Sequence, residues 1–452
     1  MLAPTFTTPE AAAYRAPGGA WSGPSLDAVL TAVAAPERAD RVARLAGGLR
    51  ALGVRPGDAV AWRSPNRDEV DLCYRACWRL GAVAVPLHHQ AGDSEIARMV
   101  AATQPAVVLD DLDRLPDGDP VTEAWAANES LAAVLFTSGS SGEPKGVLHT
   151  QATLAHKAVQ MRVAHGLGPD DCVLMPAPAA HISGLLNGIT LPGVVPFRTV
   201  FMARWDADAA IEIIERERVT FMVGPPTFFV ALMEAPGFSP ERVASLRLVS
   251  SGGAGVSDAF VATAEAALGA RVKRTYGSTE APTVITDGRP IGDVGIRIAD
   301  DGELLVRGPE VCVGYLDPTA TAEAFTPNGW FRTGDLARRD PDGTIALVGR
   351  KKDIIIRGGE NISTAEVEAA LEAHPAVRQA VAVGVPDDRL GERVCAFVIG
   401  DPTFDLDACR EWFAARGVAR FKTPERVVVV DAIPVLGSGK PDRTALRERA
   451  TG

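Results

Sequence analysis

A short segment after an apolar stretch combines the residue types that bind phosphate. The apolar residues 131–136 run into the sequence TSGSSGEPKG, which is rich in glycine and hydroxyl groups and carries one lysine. Glycines allow backbone N–H groups to approach phosphate oxygens, hydroxyl groups add donors, and the lysine supplies positive charge. The spacing does not match the GxxxxGK[ST] pattern of P-loop proteins. We therefore predict a phosphate-binding loop of a different type, made of Thr137, Ser138, Gly139, Ser140, Ser141, Gly142 and Lys145.

Lysine is scarce in this chain, since only seven of the 46 basic residues are lysines. A lysine supplies a compact point charge, whereas an arginine presents a planar fork. Lys440 lies in the sequence GSGK, but Pro434 and Pro441 replace the first glycine and the Mg²⁺-binding hydroxyl residue of a P-loop. We therefore reject a P-loop here and keep Lys440 as a lysine on a glycine-flanked loop, with a solvated surface lysine as the alternative. We predict that Lys157 and Lys273 have no special role.

Five motifs follow one another in order along most of the chain. They are the loop at 137–146, RTYGSTE at 274–280, WFRTGD at 330–335, GRKKD at 349–353 and GK at 439–440. In this order they resemble the adenylate-forming superfamily of acyl-CoA synthetases, nonribosomal-peptide adenylation domains and luciferases. The resemblance runs over about residues 45–443 and is strongest to a bacterial acyl-CoA synthetase.

The resemblance implies an ATP site assembled from several loops. The loop at 137–145 would cover the β- and γ-phosphates, and Glu280 would hold Mg²⁺, a hard cation that prefers oxygen ligands. Asp335 would accept hydrogen bonds from the ribose hydroxyls, and a turn residue after Gly334 is the alternative. Tyr276 would stack on the adenine, and Thr279 would contact phosphate. The other residues of the implied ATP/AMP site are Gly253, Ala254, Gly255, Gly277, Ser278 and Arg350.

The resemblance also implies a mobile C-terminal domain. Lys440 would bridge the substrate carboxylate and the α-phosphate, where it would offset the negative charge that builds up during attack. Lys352 matches the hinge position, and Gly358 and Gly359 match the segment that lines the CoA channel after the domain rotates. The segment before Lys440 reads VLGSG and lacks the arginine that relatives carry there. The implied catalytic residues are Lys440, Glu280 and Thr279.

The implied acyl pocket consists of apolar or small residues. Amino-acid-activating relatives carry an aspartate in a Phe-Asp-x-Ser segment, but the corresponding residues 177–181 include no acid, which disfavours an amino acid substrate. His181 would border the pocket, with a core histidine as the alternative. Gly277 would form the pocket floor and leave open volume for an acid larger than acetate. The implied pocket residues are His181, Ile182, Met222, Val223, Gly224, Gly277, Pro282 and Val284.

Composition excludes several classes of protein. Of the 452 residues, 46% are hydrophobic and 23% are charged, which is typical of a globular protein with ample core. The net charge of −11 argues against a general nucleic-acid binder. The chain shows no membrane-spanning run, no secretory signal and no paired cysteines, so we expect a soluble, cytoplasmic protein without stable membrane insertion, disulfides or a zinc site. A homodimer is compatible with the sequence.

The order of elements predicts two domains. Upstream of residue 350, helical and strand patterns alternate at 42–52, 58–63, 68–80, 82–87 and 106–110, with Asp93 and Ser94 as the cap of a further helix. Such βαβ units favour a parallel sheet covered by helices. Downstream, shorter strands and helices indicate an α+β unit of about a hundred residues. We predict a large α/β N-terminal domain at 1–350, a hinge at 351–352 and a small α+β C-terminal domain at 353–452. Residues 113–119 are a candidate linker.

The predicted activity is that of an ATP-dependent carboxylic acid:CoA ligase. A carboxylate would attack MgATP to give acyl-AMP and pyrophosphate, and CoA would then displace AMP, so ATP, Mg²⁺ and coenzyme A are the expected cofactors and co-substrates. The apolar pocket favours an aliphatic, branched or alicyclic acid. Three alternatives stay open: an acyl-AMP ligase that loads an acyl carrier protein, an aryl-acid CoA ligase, and a non-catalytic binding relative.

Overall fold

The chain is described from a computed structural model over residues 13–16, 18–138, 144–357, 360–435 and 441–451. It divides into two compact units. Unit one comprises Met1–Gly253, Val261–Ile296 and Val306–Arg332, and unit two comprises Ala254–Phe260, Arg297–Leu305 and Thr333–Gly452. This division does not test the predicted hinge at residues 351–352, which stays a prediction.

The first part of unit one alternates helices and strands. Its sheet has the strand order β3-β1-β2-β4-β5, in which β4 and β5 are antiparallel and the other neighbours are parallel. The predicted helix-covered parallel sheet is therefore confirmed. The elements are α1 (Leu26–Val33), α2 (Pro36–Ala51), β1 (Ala59–Arg63), α3 (Asp68–Leu80), β2 (Val83–Leu87), α4 (Asp93–Thr103), β3 (Val107–Leu109), β4 (Leu131–Ser138) and β5 (Pro144–Thr150).

A second sheet of seven strands follows, in the order β12-β11-β10-β9-β8-β6-β7. Strands β6 to β10 are parallel to their neighbours, and the short β11 and β12 are antiparallel. The elements are α5 (Gln151–His165), β6 (Cys172–Met175), α6 (Ile182–Leu185), α7 (Leu191–Val194), β7 (Arg198–Phe201), α8 (Ala207–Glu217), β8 (Phe221–Gly224), α9 (Pro226–Glu234), β9 (Leu248–Gly252), α10 (Asp258–Leu268), β10 (Arg271–Tyr276), β11 (Ile285–Thr286) and β12 (Arg289–Pro290).

The remaining strands form two further sheets. A four-stranded sheet has the order β13-β14-β15-β16, and a five-stranded sheet has the order β18-β17-β20-β19, with β21 paired to β20. The elements are β13 (Gly295–Ile298), β14 (Glu303–Arg307), α11 (Pro318–Ala324), β15 (Phe331–Arg339), β16 (Ile345–Arg350), β17 (Ile354–Arg357), β18 (Glu360–Ser363), α12 (Thr364–Glu372), β19 (Val377–Asp387), β20 (Gly391–Gly400), α13 (Leu406–Ala415), β21 (Arg426–Val429) and α14 (Arg443–Thr451).

Both five-stranded sheets bury side chains on their two faces. In β1 of unit one, Val60 and Trp62 belong to one hydrophobic cluster, while Ala59 and Ala61 belong to another. In β19 of unit two, alternate residues face a cluster with α12 and α13 or a cluster with α14. Successive residues of a strand point to opposite faces, so near-continuous apolar runs are what a doubly covered sheet requires.

The predicted helix at residues 68–80 has the bounds that the structure shows for α3. Helix α3 ends at Gly81, whose φ of 69° lies in the left-handed region that glycine adopts without strain. At α4 the expected cap is wrong. The N-cap is Gly92, and Asp93 is the first helical residue, where its carboxylate complements the positive end of the helix dipole.

The expected linker at residues 113–119 is also wrong, because this segment packs against α2 within unit one. A Cβ atom on Gly47 would lie 2.0 Å from the carbonyl oxygen of Asp119, and one on Gly48 would lie 2.5 Å from the carbonyl carbon of Pro116. The two glycines thus allow the backbone of residues 116–119 to approach the helix directly. The segment reads as a loop by composition, but its backbone is part of the packed unit.

The prediction that Lys157 has no special role is wrong as well. Lys157 and Glu310 are both fully buried, with 3.7 Å between the ammonium nitrogen and the nearer carboxylate oxygen. Lys157 also donates a hydrogen bond to Gln160. Burial lowers the pKa of Lys157 and raises the pKa of Glu310, while each charge favours the other. A buried ion pair of this kind depends on both partners.

None of the helices in the described part of the chain is both long and apolar enough to cross a membrane.

We expect Lys157→Met to destabilise unit one, because it leaves the Glu310 carboxylate buried without a counter-charge; the cost should be about 3 kcal/mol. Burial raises the pKa of Glu310 in the folded state above its ordinary value. The stability that Glu310 contributes is therefore present at pH values below its ordinary pKa, and it is lost as the pH rises through its folded-state pKa. The thermal midpoint of Lys157→Met should therefore fall more at pH 8 than at pH 5.5. Lys157→Met/Glu310→Met should recover most of the loss, and an equal loss at both pH values without recovery would contradict this account.

Candidate active site

Four of the predicted site segments begin where parallel strands of the seven-stranded sheet end. β6 leads towards His181, β8 ends at Gly224, β9 ends at Gly252, and β10 ends at Tyr276. β8, β9 and β10 pair in register up to these ends, so the ends are level along one edge of the sheet. Ligands of open parallel sheets bind outside the carboxyl ends of the strands. This edge is therefore the candidate active-site edge of unit one.

Strands β4 and β5 bring two predicted phosphate-binding residues into register. Thr137 pairs with Lys145, and Ser138, the last residue of β4, pairs with Pro144. The predicted residues between these strands, Gly139, Ser140, Ser141 and Gly142, lie outside the described residues. The hairpin register accounts for the spacing of the motif, because it sets the lysine directly opposite the hydroxyl residue that opens the loop.

Tyr315 connects Lys145 to Glu280. The Lys145 ammonium nitrogen lies 5.7 Å from the centre of the Tyr315 ring, and the Tyr315 hydroxyl donates a hydrogen bond of 2.8 Å to Oε1 of Glu280. Burial and the charge of Glu280 both raise the pKa of Tyr315, so its hydroxyl remains a donor. Tyr315 was not predicted, since a tyrosine after a glycine gives no sign of what its hydroxyl will reach.

The backbone beside Glu280 is held from two sides. The carbonyl oxygen of Thr279 lies 2.8 Å from Nε2 of the fully buried His149, and the Cys312 N–H donates a 2.7 Å hydrogen bond to the carbonyl oxygen of Glu280. Burial lowers the pKa of His149 to about 4, so its ring is neutral at pH 7. Because a carbonyl only accepts, the His149 proton must be on Nε2. His149 was not predicted either.

The loop after Tyr276 overturns one expectation about the acyl pocket. A Cβ atom on Gly277 would lie 2.2 Å from the backbone nitrogen of Thr283, so Gly277 does not leave open volume for a larger side chain. Gly277 instead allows the loop to fold back, with a hydrogen bond of 2.8 Å from the Val284 N–H to the Tyr276 carbonyl. Thr283 has a φ of 42°, a strained value for a β-branched residue that only the surrounding structure maintains.

The predicted acyl-pocket histidine belongs to a group of three imidazoles. The His88 ring lies 5.0 Å from that of His181 and 4.9 Å from that of His89, between ring centres. Burial, with nearby His89 and Arg63, lowers the pKa of His88 to about 4, and burial with nearby Arg204 and Arg63 lowers the pKa of His89. His88 and His89 are therefore neutral at pH 7. Neither had been predicted.

The other predicted acyl-pocket residues are apolar and mostly buried. Met222 and Val223 are adjacent on β8 and therefore point to opposite faces of the sheet. Gly224 ends β8 against Phe228, whose ring stacks on Trp205 at 4.4 Å. Pro282, Val284 and Ile182 are buried or half-buried. Whether these residues line one cavity for an acid stays a prediction.

Unit two contains the predicted ribose-binding pair. Asp335 on β15 pairs in register with Arg350 on β16, and the Arg350 Nε lies 2.7 Å from Oδ1 of Asp335. The Asp335 side chain is 6% exposed and that of Arg350 is 44% exposed. Asp335 is thus an ion-paired strand residue and not only a turn residue after Gly334. Ala254 and Gly255 also belong to unit two, while Gly253 belongs to unit one.

The Glu303 side chain contacts both the residue before Asp335 and a residue of the predicted hinge. Its carboxylate accepts a 3.1 Å hydrogen bond from the Gly334 N–H and a 2.9 Å hydrogen bond from the Lys351 ammonium group. Lys351 also donates to Asp301 over 2.7 Å. Glu303 therefore holds the residue before Asp335 and the first residue of the predicted hinge at 351–352.

The remaining predictions fall partly outside what the structure describes. Lys440, Gly358 and Gly359 lie outside the described residues. The backbone of Lys352 is in a single 3₁₀ turn, Lys351–Asp353. Val435 and Pro441, the described residues on either side of 436–440, form an antiparallel bridge.

The chemistry of Glu280 fits a cation that arrives with ATP. The described residues contain no group of three or more His, Cys, Asp or Glu side chains able to hold a metal ion. Mg²⁺ in nucleotide sites needs less, since it keeps waters and phosphate oxygens and takes one or two carboxylates. Glu280 is half-buried, and within the described part of the chain its Oε2 accepts no hydrogen bond while Oε1 is held by Tyr315. One carboxylate oxygen is therefore left for a cation.

A surface depression of about 590 Å³ lies at the opposite edge of the seven-stranded sheet, near the first residues of β6 and β7. Among the charged side chains that line it, Arg198 and Glu217 already form an ion pair of 3.0 Å. The depression is remote from the carboxyl ends of the strands and is not the candidate active site.

Comparison with known proteins identifies the family. Residues 36–316 match the model of the AMP-binding enzyme family, and residues 366–440 match the model of the AMP-binding enzyme C-terminal domain. The chain belongs to the AMP-binding enzyme family. Its curated relatives include a medium-chain fatty-acid–CoA ligase of Escherichia coli, 33% identical over 89% of this chain and 83% of that protein. A feruloyl-CoA synthase of an Amycolatopsis species is 35% identical over 93% of this chain and 94% of that protein.

Solved structures of adenylate-forming enzymes show the same fold. ATP-bound MatB from Rhodopseudomonas palustris superimposes with a TM-score of 0.83 at 28% identity, over 91% of this chain and 92% of that one. The amide bond synthetase McbA from Marinactinospora thermotolerans gives a TM-score of 0.84 at 29% identity, over 95% and 99% of the two chains. The predicted superfamily and the α/β plus C-terminal α+β fold class are thus confirmed for this AMP-binding enzyme.

We expect Gly277→Ala to disturb the loop after Tyr276 and to weaken ATP binding, because the added Cβ atom meets backbone and cannot be relieved by a rotamer change. Overpacking of this kind costs about 1–3 kcal/mol. Gly168→Ala is the control, since a Cβ atom there meets nothing within 4 Å. Thermal unfolding and equilibrium ATP binding measure both variants. Unchanged ATP binding by Gly277→Ala would contradict the close backbone approach.

Proposed function

We propose that this AMP-binding enzyme is an ATP-dependent carboxylic acid:CoA ligase that works through an acyl-adenylate. A carboxylate oxygen attacks the α-phosphorus of ATP, and the bond from that phosphorus to pyrophosphate breaks. The CoA thiol, as thiolate, then attacks the acyl carbon, and AMP leaves with the oxygen that came from the acid. The curated relatives named as CoA ligases and the match to both family models support this proposal.

The observation that carries the proposal is the arrangement of Lys145, Tyr315 and Glu280 in unit one. The Lys145 ammonium group lies over the ring of the buried Tyr315, and the Glu280 carboxylate accepts a hydrogen bond from the hydroxyl of the same residue. Lys145 belongs to the β4–β5 hairpin, whose sequence resembles a phosphate-binding loop. A triphosphate needs both groups, because lysine offsets phosphate charge directly and a carboxylate holds the Mg²⁺ that accompanies ATP. When bound, Mg²⁺ neutralises part of the triphosphate charge.

The proposed roles of the other residues follow from their chemistry. Asp335 accepts hydrogen bonds from the ribose hydroxyls, and its ion pair with Arg350 holds its side chain in place. Tyr276, at the end of β10, offers a ring for the adenine. Lys440 offsets the charge on the attacking carboxylate and the α-phosphate, which are both anionic. Because phosphoryl transfer requires little covalent help, positioning and charge neutralisation are what these residues supply.

The proposed substrate class is an apolar acid of aliphatic, branched or alicyclic type. The predicted pocket residues Met222, Val223 and Pro282 are apolar, and residues 177–181 include no acidic side chain for an ammonium group. The neutral rings of His88 and His89 add no charge beside His181. An aryl acid is the second candidate, because relatives include a feruloyl-CoA synthase and an indoleacetate–CoA ligase.

Pyrophosphate exchange across a panel of acids tests the adenylation step. Labelled pyrophosphate should enter ATP only with an acid that the enzyme activates, and we expect medium-chain and alicyclic acids to give the fastest exchange. CoA, a phosphopantetheinylated carrier protein and a simple amine are then offered as acceptors, and the products are identified by mass. A CoA thioester is the expected product. If none of the acids supports exchange, the result would favour a non-catalytic relative. If the acyl group is transferred only to the carrier protein, the carrier protein would replace CoA in the proposal.

We expect Lys440→Ala to slow adenylation by a factor of about 10² or more, because it removes a charge aimed at the transition state. Thioester formation from supplied acyl-AMP should largely persist, since the nucleophile in that half-reaction attacks the acyl carbon, and no carboxylate has to approach the α-phosphorus. Single-turnover assays of each half-reaction separate the two effects. Lys422→Ala is the matched control, a lysine of unit two that pairs with Glu366. Equal losses in both half-reactions would contradict the role of Lys440.

We expect Lys352→Pro to preserve adenylation and to abolish CoA transfer. Proline fixes φ at one residue and restricts the residue before it, so a rotation about this position is blocked. Lys352→Ala is the control, because it removes the side chain and leaves both backbone angles free. Full overall turnover by Lys352→Pro would rule out a hinge at this residue.

A further inference from the structure

We propose that Tyr315 is a positioning residue for ATP and Mg²⁺, which aims one oxygen of Glu280 at the cation and holds Lys145 for the triphosphate. This inference rests on the proposed function. It concerns a residue that acts through two others and does not itself touch a reacting atom.

The first support is that Tyr315 binds only one of the two oxygens of the Glu280 carboxylate. The Tyr315 hydroxyl engages Oε1 at 2.8 Å, while the Cys312 N–H holds the carbonyl oxygen of Glu280 at 2.7 Å. With one carboxylate oxygen and the backbone both fixed, the direction of Oε2 is set before a cation arrives. A hydrogen bond to a charged acceptor is among the stronger ones in proteins, so the orientation is well maintained.

The second support is that Tyr315 is fixed to the same strand that carries Lys145. Val147 of β5 forms an antiparallel bridge with Tyr315. Backbone hydrogen bonds of 2.9 Å from Leu148 to Gly314 and of 2.8 Å from Leu316 to Gly146 close the pairing on both sides. The Tyr315 N–H donates to the Thr321 hydroxyl at 2.9 Å. The backbone of Tyr315 therefore cannot shift without moving β5, the strand that carries Lys145.

The third support is the use of two different parts of one side chain. The face of the ring attracts the Lys145 ammonium group, and the hydroxyl at its edge binds the Glu280 carboxylate. In the described part of the chain, Lys145 forms no ion pair with a carboxylate. A direct Lys145–Glu280 ion pair would satisfy both charges and would compete with phosphate and cation. A neutral side chain that contacts both groups holds them without that competition.

The test separates the hydroxyl from the ring. Tyr315→Phe keeps the ring beside Lys145 and removes only the hydrogen bond to Glu280. Equilibrium binding of ATP is measured calorimetrically over a range of Mg²⁺ concentrations, without acid or CoA, so that the readout is binding and not turnover. We expect the Mg²⁺ concentration for half-maximal ATP binding to rise about tenfold or more. ATP affinity at saturating Mg²⁺ should return to within about twofold of wild type.

Two further variants complete the design. Tyr315→Leu also removes the ring, and its ATP affinity should stay low even at saturating Mg²⁺, because Lys145 loses its support. Tyr74→Phe is the matched control, since Tyr74 is another buried tyrosine of unit one whose hydroxyl donates a 2.7 Å hydrogen bond, to the carbonyl oxygen of Ala179. Its Mg²⁺ dependence should match wild type even if its thermal midpoint falls.

The outcomes distinguish this inference from the proposed function. If wild type binds ATP in a Mg²⁺-dependent way and Tyr315→Phe shows the same Mg²⁺ dependence, the role of Tyr315 is refuted while the proposed function stands. A Tyr315→Phe defect of the same kind and size as that of Tyr74→Phe refutes it as well. If wild type itself does not bind ATP with Mg²⁺, the proposed function fails.

Discussion

The candidate site in unit one depends on strand β5 and the backbone hydrogen bonds that it makes on both sides. Along one edge β5 pairs with β4, which sets Lys145 opposite Thr137. Along the other it pairs with residues 313–316, which brings the Tyr315 hydroxyl to Glu280. From the same strand, His149 reaches the carbonyl oxygen of Thr279. A single strand thus fixes the relative positions of groups that lie far apart in the sequence.

Electrostatics explains why these groups are kept apart yet fixed. The proposed reaction brings a carboxylate to a triphosphate, two anions that repel each other in any medium of low dielectric constant. Cationic groups must therefore be in place before the reactants meet. In unit one, the carboxylate that is proposed to hold the metal ion must not pair with the lysine that is proposed to bind phosphate. In unit one the neutral Tyr315 contacts both Lys145 and Glu280. In unit two, Asp335 is paired with Arg350, and Glu303 with Lys351, so these acids are held by cations.

The sequence predicts which residue types belong to the candidate site better than it predicts the residues that hold them in place. Lys145 is predicted from the composition of its loop, and Glu280 and Asp335 from the resemblance of ordered motifs to a known family; the roles of all three stay predictions. Tyr315 and His149 could not be predicted, because their partners are distant in the sequence and meet only through strand pairing. Gly277 shows the same limit, since a glycine signals free volume or close backbone approach equally well, and only coordinates decide between them.

The fold shows a similar pattern. Alternating helices and strands predicted the parallel sheets correctly, because hydrophobic periodicity is local information. The loop at residues 113–119 was misjudged, because composition cannot show that Gly47 and Gly48 expose a helix face to which backbone can pack. Lys157 was misjudged for the same reason, since its partner Glu310 comes from a distant segment.

The central claim is that the acid attacks the α-phosphorus of ATP, and isotope transfer tests it most directly. The enzyme is supplied with ATP, CoA and an accepted acid that carries ¹⁸O in its carboxylate, and the nucleotide and phosphate products are analysed by mass. The account predicts one ¹⁸O in AMP and none in pyrophosphate, because AMP leaves with the oxygen that the acid contributed. Formation of ADP with ¹⁸O in inorganic phosphate would show attack on the γ-phosphorus and would contradict the account.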